Sequence, residues 1–340
     1  LSYEVIKKFI FNIGDDNFRI LNYEWRFHGI GFHYISQIYL YIADRIINFE
    51  KFNEDVSRIL INHGFIFLTF FLSGLFSKKI VNLIIRDHAS SKLFLVFYLL
   101  YPYLLGHGFY NPKDMPFLFI WLISTYLSIK IFIKIFYHEK ITYTNILLLS
   151  LTTSFLFSIR ISGILIIIQY LIMLVISSNL SKRSFFEFMK FYFGKISLFF
   201  LFTLFFTFIF YPILWINPLF IIDAINQMRN IPYGVCTLTL GECMDSLDLP
   251  SSYILIWLFF KLPLICLFGL VLFPFIEKKI FSEDRSKIIL GSLIISVISI
   301  IFLLIFFKVN LYDELRHILF VVPLVLIISF SIIYLFSKKI

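Results

Sequence analysis

Charge is scarce in this chain. Acidic and basic side chains make up 15% of its 340 residues, against roughly a quarter in soluble globular proteins. With 60% hydrophobic residues, 46 Phe and a mean hydropathy of +0.90, that shortage excludes a water-soluble globular domain. Sustained alternation of polar and apolar residues with period two is also lacking, which excludes a transmembrane β-barrel. There is no Walker loop, no Rossmann glycine pattern, no Cys-x-x-Cys pair, no Ser-His-Asp signature and no His-Glu-x-x-His spacing, so the corresponding enzyme classes have no footing here.

What is present is a series of long apolar runs, each suited to a bilayer-spanning helix, because only closed barrels and helices satisfy their backbone groups in lipid. Spans are expected near 63–77, 92–105, 115–136, 143–158, 161–178, 194–214, 253–275, 288–307 and 318–336. The chain thus reads as an all-α polytopic bundle of about nine spans, with broken, tilted or re-entrant helices among the first five. The net charge of +9 comes from Lys and Arg in small groups between runs, which is a topology signal and not a nucleic-acid footprint. Lys78-Lys79, Lys134 with Lys140, Lys182-Arg183, Lys278-Lys279 with Arg285 and Lys287, and Lys338-Lys339 fall in alternate connections, and the positive-inside rule makes those cytoplasmic. Residues 1–61, 106–114, 158–163, 215–252 and 308–317 then share the outer face, which is where every chemically suggestive polar cluster falls.

This divides the chain into an extracytoplasmic segment, 1–61, and a transmembrane domain, 62–340, carrying an external loop at 215–252. Within the first segment, 32–47 mixes apolar and charged residues as interfacial helices do. The sequence starts at Leu1 with an external segment and no signal peptide to deliver it, so an additional upstream span is expected.

Gly106-His107-Gly108-Phe109-Tyr110-Asn111-Pro112-Lys113-Asp114 sets charge at the head of a spanning helix, where a charged residue costs roughly 2.5 to 3.5 kcal/mol on insertion scales. The simpler reading of Lys113 and Asp114 is a mutually paired couple snorkelling to the interface; Pro112 and Pro116 argue against it by marking an interrupted helix entry with exposed backbone donors. This segment, with Tyr23-Glu24-Trp25-Arg26-Phe27-His28-Gly29, Arg160-Ile161-Ser162-Gly163, Tyr211-Pro212-Ile213-Leu214-Trp215-Ile216-Asn217-Pro218 and Tyr312-Asp313-Glu314-Leu315-Arg316-His317 before Pro323, resembles the C-type glycosyltransferase superfamily. The resemblance covers nearly the whole chain. It is closest to bacterial members related to the protein O-mannosyltransferases and lipid A aminoarabinose transferases, and it implies transfer of a sugar from a polyprenyl-phosphate carrier to an acceptor on the outer face, usually with inversion.

Such a donor carries its phosphate at headgroup level and needs cations there. Lys113, Arg160, Arg316 and His317 are the candidates, with Arg316 foremost because a guanidinium grips phosphate bidentately. His107 and Asn111 are expected to support them. The acceptor hydroxyl must lose its proton, which calls for a positioned carboxylate. Glu24 is the candidate base, with Asp15 and Asp16 behind it; the resembling family more often has Asp at that place. Asp114 is the second catalytic candidate, to hold Lys113, to bind the acceptor, or to join Glu24 on a divalent metal. The partners implied are the lipid-linked donor, a glycan, lipid or protein acceptor, and membrane lipids, in a bacterial inner membrane. Cys236 and Cys243 are candidates for a disulfide in the external loop. The rival reading is a lipid or polysaccharide flippase, which would place ionisable residues nearer mid-membrane and usually relate two halves by a repeat.

Overall fold

The computed structural model describes residues 29, 31–47, 54–180, 184–211, 213–229, 234–280 and 284–338. Glu24, Asp15, Asp16, Lys182-Arg183 and Lys339 lie outside them.

The described chain is all-α apart from one hairpin. It opens with α1 (Gly31–Ile47) and α2 (Glu54–Ile85), followed by the bent pair α3 (His88–Leu100) and α4 (Pro102–Tyr110). Next come α5 (Asp114–Phe136), α6 (Tyr143–Ile159), a 3-10 turn Ile161–Leu165 running into α7 (Ile166–Leu180), and α8 (Phe185–Phe210). A loop region holds the short α9 (Ile213–Ile216), α10 (Phe220–Arg229), β1 (Cys236–Thr239) and β2 (Glu242–Asp245). A second bent pair, α11 (Tyr253–Lys261) and α12 (Leu264–Val271), leads through α13 (Phe273–Ile280) to α14 (Asp284–Ser286), a π segment Lys287–Gly291 and α15 (Ser292–Phe306). A 3-10 turn, Arg316–Ile318, precedes α16 (Val321–Ser337).

Local chemistry sets several of these boundaries. Asp87 caps α3 through the N–H groups of Ala89 and Ser90, Thr142 caps α6 through Asn145, and Ser184 with Glu187 forms a capping box on α8. Pro102 cannot donate to a preceding turn, so α3 stops and α4 restarts at an angle of 60°. Pro263 breaks the other pair by 114°. The expectation of one unbroken span over 253–275 is therefore corrected. A proline flanked by apolar residues leaves the hydropathy of a run intact while removing the hydrogen bond that keeps it straight.

Among the described residues five helices are long and apolar enough to cross a membrane, or seven if each bent pair counts as one; α6 and α16 are apolar but shorter. α2 exceeds the expected 63–77 at both ends. Asn62 accepts a hydrogen bond from Tyr39 of α1 at 2.5 Å, and Lys79 lies over the Phe76 ring at 4.5 Å, so polar residues that look like span ends stay helical.

α16 is buried on every side from Val321 to Ser329, as befits a helix apolar all round at the centre of a bundle, and it packs on α2, α12 and α15. Its approach to α12 is close enough that a Cβ on Gly269 would overlap Ser329. α8 is the opposite case: only 11% of its most apolar stretch is buried, so most of its Phe-rich surface is exposed. Small polar residues clamp helices together, as in Ser73 with Tyr98 at 2.7 Å, Thr153 with Tyr170 at 3.0 Å and Ser154 with the Thr203 carbonyl at 2.8 Å.

The bundle has two distinct ends. At one, Arg285 donates to the Leu83 carbonyl at 3.2 Å and Tyr334 to Asp87 at 3.2 Å, so the 83–87, 285 and 334–338 regions converge. The other gathers 107–114, 160, 261 and 313–317.

Candidate functional site

Asn111 organises the second end. As the residue before Pro112 it is held extended, at φ −92 and ψ 93. Its side-chain carbonyl accepts the Asp114 N–H at 2.9 Å, opening α5, while its amide donates to Asp114 Oδ2 at 2.9 Å. The same amide lies 3.1 Å from His107 Nδ1, which makes Nδ1 the acceptor and leaves the proton on Nε2.

Asp114, 2% exposed, is the hub. Oδ1 lies 2.6 Å from Arg160 Nη2, and Oδ2 takes Arg316 Nε at 3.0 Å. The Arg160 contact is an ion pair by distance and not an aligned hydrogen bond, so Oδ1 keeps a lone-pair direction free. Arg160 is carried to this point by the extended residue that ends α6; Arg316 opens the 3-10 turn before α16 and also holds Asp313 at 2.8 Å. The ion pairs of Asp114 among the described residues thus run to two distant arginines and not to its neighbour Lys113.

Asp313 and Glu314 both sit at positive φ, 54 and 60, a left-handed pair that costs non-glycine residues on the order of 1 kcal/mol each or more. The twist turns Glu314 toward Lys261, with Oε2 2.7 Å from Nζ, at the C-terminus of α11 just before the Pro263 break. Lys261 also lies 5.0 Å from the Trp257 ring and 5.3 Å from the Tyr103 ring.

Burial, with Arg160 and Arg316 close by, pushes the Lys113 ammonium down to about 7. Burial, again with Arg160 beside it, pushes the His317 imidazole down to about 3, so at neutral pH His317 offers hydrogen bonds and not charge. Its Nδ1 faces Arg160 Nη1 at 3.5 Å; its Nε2 and the Arg160 Nε are buried without a hydrogen-bond partner. Arg160, Lys261 and Arg316 balance Asp114, Asp313 and Glu314, and Lys113, titrating at about 7, adds positive charge in excess below that pH.

Two clefts flank this cluster. One, of about 440 Å³, is lined by Tyr103, His107, Tyr110, Asp313, Glu314 and Arg316. The other, of about 200 Å³, is apolar over most of its wall (Leu304, Phe307, Leu311, Phe320) and is lined also by Arg160 and His317.

Of the residues expected from sequence, the structure brings together His107, Asn111, Lys113, Asp114, Arg160, Arg316 and His317. Glu24 lies outside the described residues, and with it the Glu24–Asp114 metal pair; Gly29, five residues on, packs against the Ser158 and Ile159 carbonyls beside Arg160. Among the described residues no group of three His, Cys, Asp or Glu side chains is placed to hold a metal ion. Cys236 and Cys243 are disulfide-bonded across the β1–β2 hairpin, whose turn takes Leu240 and Gly241 at positive φ. Lys261, noticed in the sequence only as a charge inside the span from Tyr253, and Glu314, quoted only within the 312–317 motif, join the cluster without a role having been assigned to either. The signal available for Lys261 was its position two residues before Pro263 inside an apolar run.

No protein-family model matches this chain, and no curated protein and no solved structure matches it.

Proposed function

We propose that this chain is an integral membrane glycosyltransferase that moves a sugar from a polyprenyl-phosphate donor to an acceptor hydroxyl, with inversion, at the extracytoplasmic face of a bacterial inner membrane. In this reading α6, α16 and both bent pairs cross the bilayer with the five longer helices, giving nine spans. α1 lies in the interface on its exposed Ile35, Ile38, Ile42 and Ile46 stripe. The observation that carries the proposal is a largely apolar cleft whose lining includes Arg160 and His317, each with a buried ring or guanidinium nitrogen that has no hydrogen-bond partner, beside a cluster to which Lys113 adds positive charge below about pH 7. A phosphate joined to a hydrocarbon chain has that pattern: greasy along its length, anionic at its head.

Each residue then has a task. Arg160, Arg316 and Lys113 hold the phosphate and offset the charge that grows on it as the bond from the anomeric carbon to the phosphate oxygen breaks; His317 adds a hydrogen bond. Asp114 is a positioning residue, because a carboxylate committed to two guanidinium groups is a poor base. The acceptor enters from the polar cleft, its oxygen attacks the anomeric carbon, its proton passes to Glu24, and polyprenyl phosphate leaves.

A flippase is the second reading, favoured by the meeting of the two broken helices, where the Tyr101 hydroxyl donates to the Lys261 carbonyl. One experiment separates them: the protein in liposomes is given a panel of polyprenyl-phosphate sugars and sugar release is followed. Wild type should turn over a donor, with losses of about 10²-fold or more in Glu24→Gln and Arg316→Ala. Asp114→Asn should lose activity together with about 3 kcal/mol of stability as the buried Arg160 loses its counter-ion, while Arg316, 39% exposed and still paired with Asp313, adds little. Movement of donor across the bilayer without sugar release would replace the transferase with the flippase.

A further inference from the structure

At the end of the bundle opposite Asp114, the connection between α5 and α6 and the first half of α8 line an open pocket of about 800 Å³. His138, Glu139, Lys140, Tyr143 and Lys195 stand around it, and Lys195 holds its ammonium 3.5 Å from the centre of the Tyr143 ring. Beside it a second pocket of about 130 Å³ lies between α5, α6, α7 and α8, lined mainly by apolar side chains, among them Phe132, Leu149, Ile167, Leu171 and Phe199, together with Tyr170, Tyr192 and Lys195, whose polar atoms do not reach its surface. Ile141, Tyr192 and Lys195 border both. A polar mouth with two lysines against one glutamate therefore continues into a slot without a polar surface.

The slot cannot hold ordered water, which needs two to four polar partners, and it lies in a part of the bundle whose outer helix, α8, is largely exposed apolar surface. A hydrocarbon chain satisfies it. The mouth asks for negative charge next to that chain, and basic recesses between membrane helices are suited to anionic headgroups. We infer that this paired cavity is a binding site for an anionic diacyl glycerophospholipid, its phosphate between Lys140 and Lys195 and one acyl chain in the slot between α5, α6, α7 and α8. The site is separate from the Asp114 cluster, and the inference does not rest on sugar transfer.

The test uses the full chain in detergent, with bound lipid counted by native mass spectrometry against added phosphatidylglycerol or phosphatidylcholine. Phosphatidylglycerol should bind saturably and about tenfold more tightly. Lys140→Gln and Lys195→Gln should each weaken it roughly fivefold, the effect of removing one basic residue near a charged headgroup. Lys140→Arg with Lys195→Arg should keep the binding. Leu171→Trp, which fills the slot and leaves both lysines, should abolish it. Equal affinity for the two lipids, binding undiminished in the Gln variants, or full competition by chain-free glycerol phosphate would each overturn the site. Displacement of phosphatidylglycerol by polyprenyl phosphate at equal concentration would overturn it too, by making it a carrier site.

Discussion

Burial first, and then the positive charge of Arg160 and Arg316, disfavours the Lys113 ammonium, and among the described residues no carboxylate forms an ion pair with it. Its folded pKa of about 7 lies below that of the unfolded chain, near 10.4. Between those values the unfolded chain binds more protons, so stability should rise with pH across that window. Binding of the proposed phosphate donor would run the other way, since the cation is lost as pH rises through about 7. The donor KM should therefore climb between about pH 6.5 and 8.5 in wild type and stay flat in Lys113→Gln; an identical climb in the variant would remove Lys113 from the donor site. Asn111, Lys113 and Asp114 were legible in the sequence because charge beside proline at membrane depth has few innocent explanations. The partners of Asp114 were not, since Arg160 and Arg316 reach it across sequence separations that no local pattern encodes. Nor was the left-handed Asp313–Glu314 pair, whose side chains favour ordinary backbone and are turned by tertiary contacts.

Among the elements, the bent pairs α3–α4 and α11–α12 solve one problem jointly. Each break frees backbone groups in a setting with little water, and the Tyr101 hydroxyl at one break meets the Lys261 carbonyl at the other. Tyr101→Phe should cost about 1 kcal/mol of stability, measured by unfolding in mixed micelles, with a matching fall in activity as Lys261 and Glu314 shift. Full stability with full activity would mean the two breaks are independent. Helix positions were readable from apolar runs, since the expected spans fall on observed helices or bent pairs. Their breaks and ends were less so: Pro263 hides among apolar neighbours, and the polar ends of α2 are held helical by Tyr39 and by aromatic rings.

Across the whole molecule, alternation of basic connections predicts two unlike ends, and the structure separates 83–87, 285 and 334–338 from the Asp114 cluster. If the Asp114 end is external, Tyr110→Cys should react with a membrane-impermeant maleimide in intact cells, and Glu139→Cys only after permeabilisation. Labelling of both from outside would refute the topology. The central place of α16 bears on biosynthesis. Chains emerge N-terminus first, so α2, α12 and α15 leave the ribosome with the faces that α16 will cover still facing lipid or insertion machinery. Arg316, which closes the Asp114 cluster, is delivered with that same late helix. The Asp114 cluster is therefore incomplete until the centre of the bundle is threaded last, and a ribosome stalled before that point leaves a bundle whose proposed site lacks Arg316.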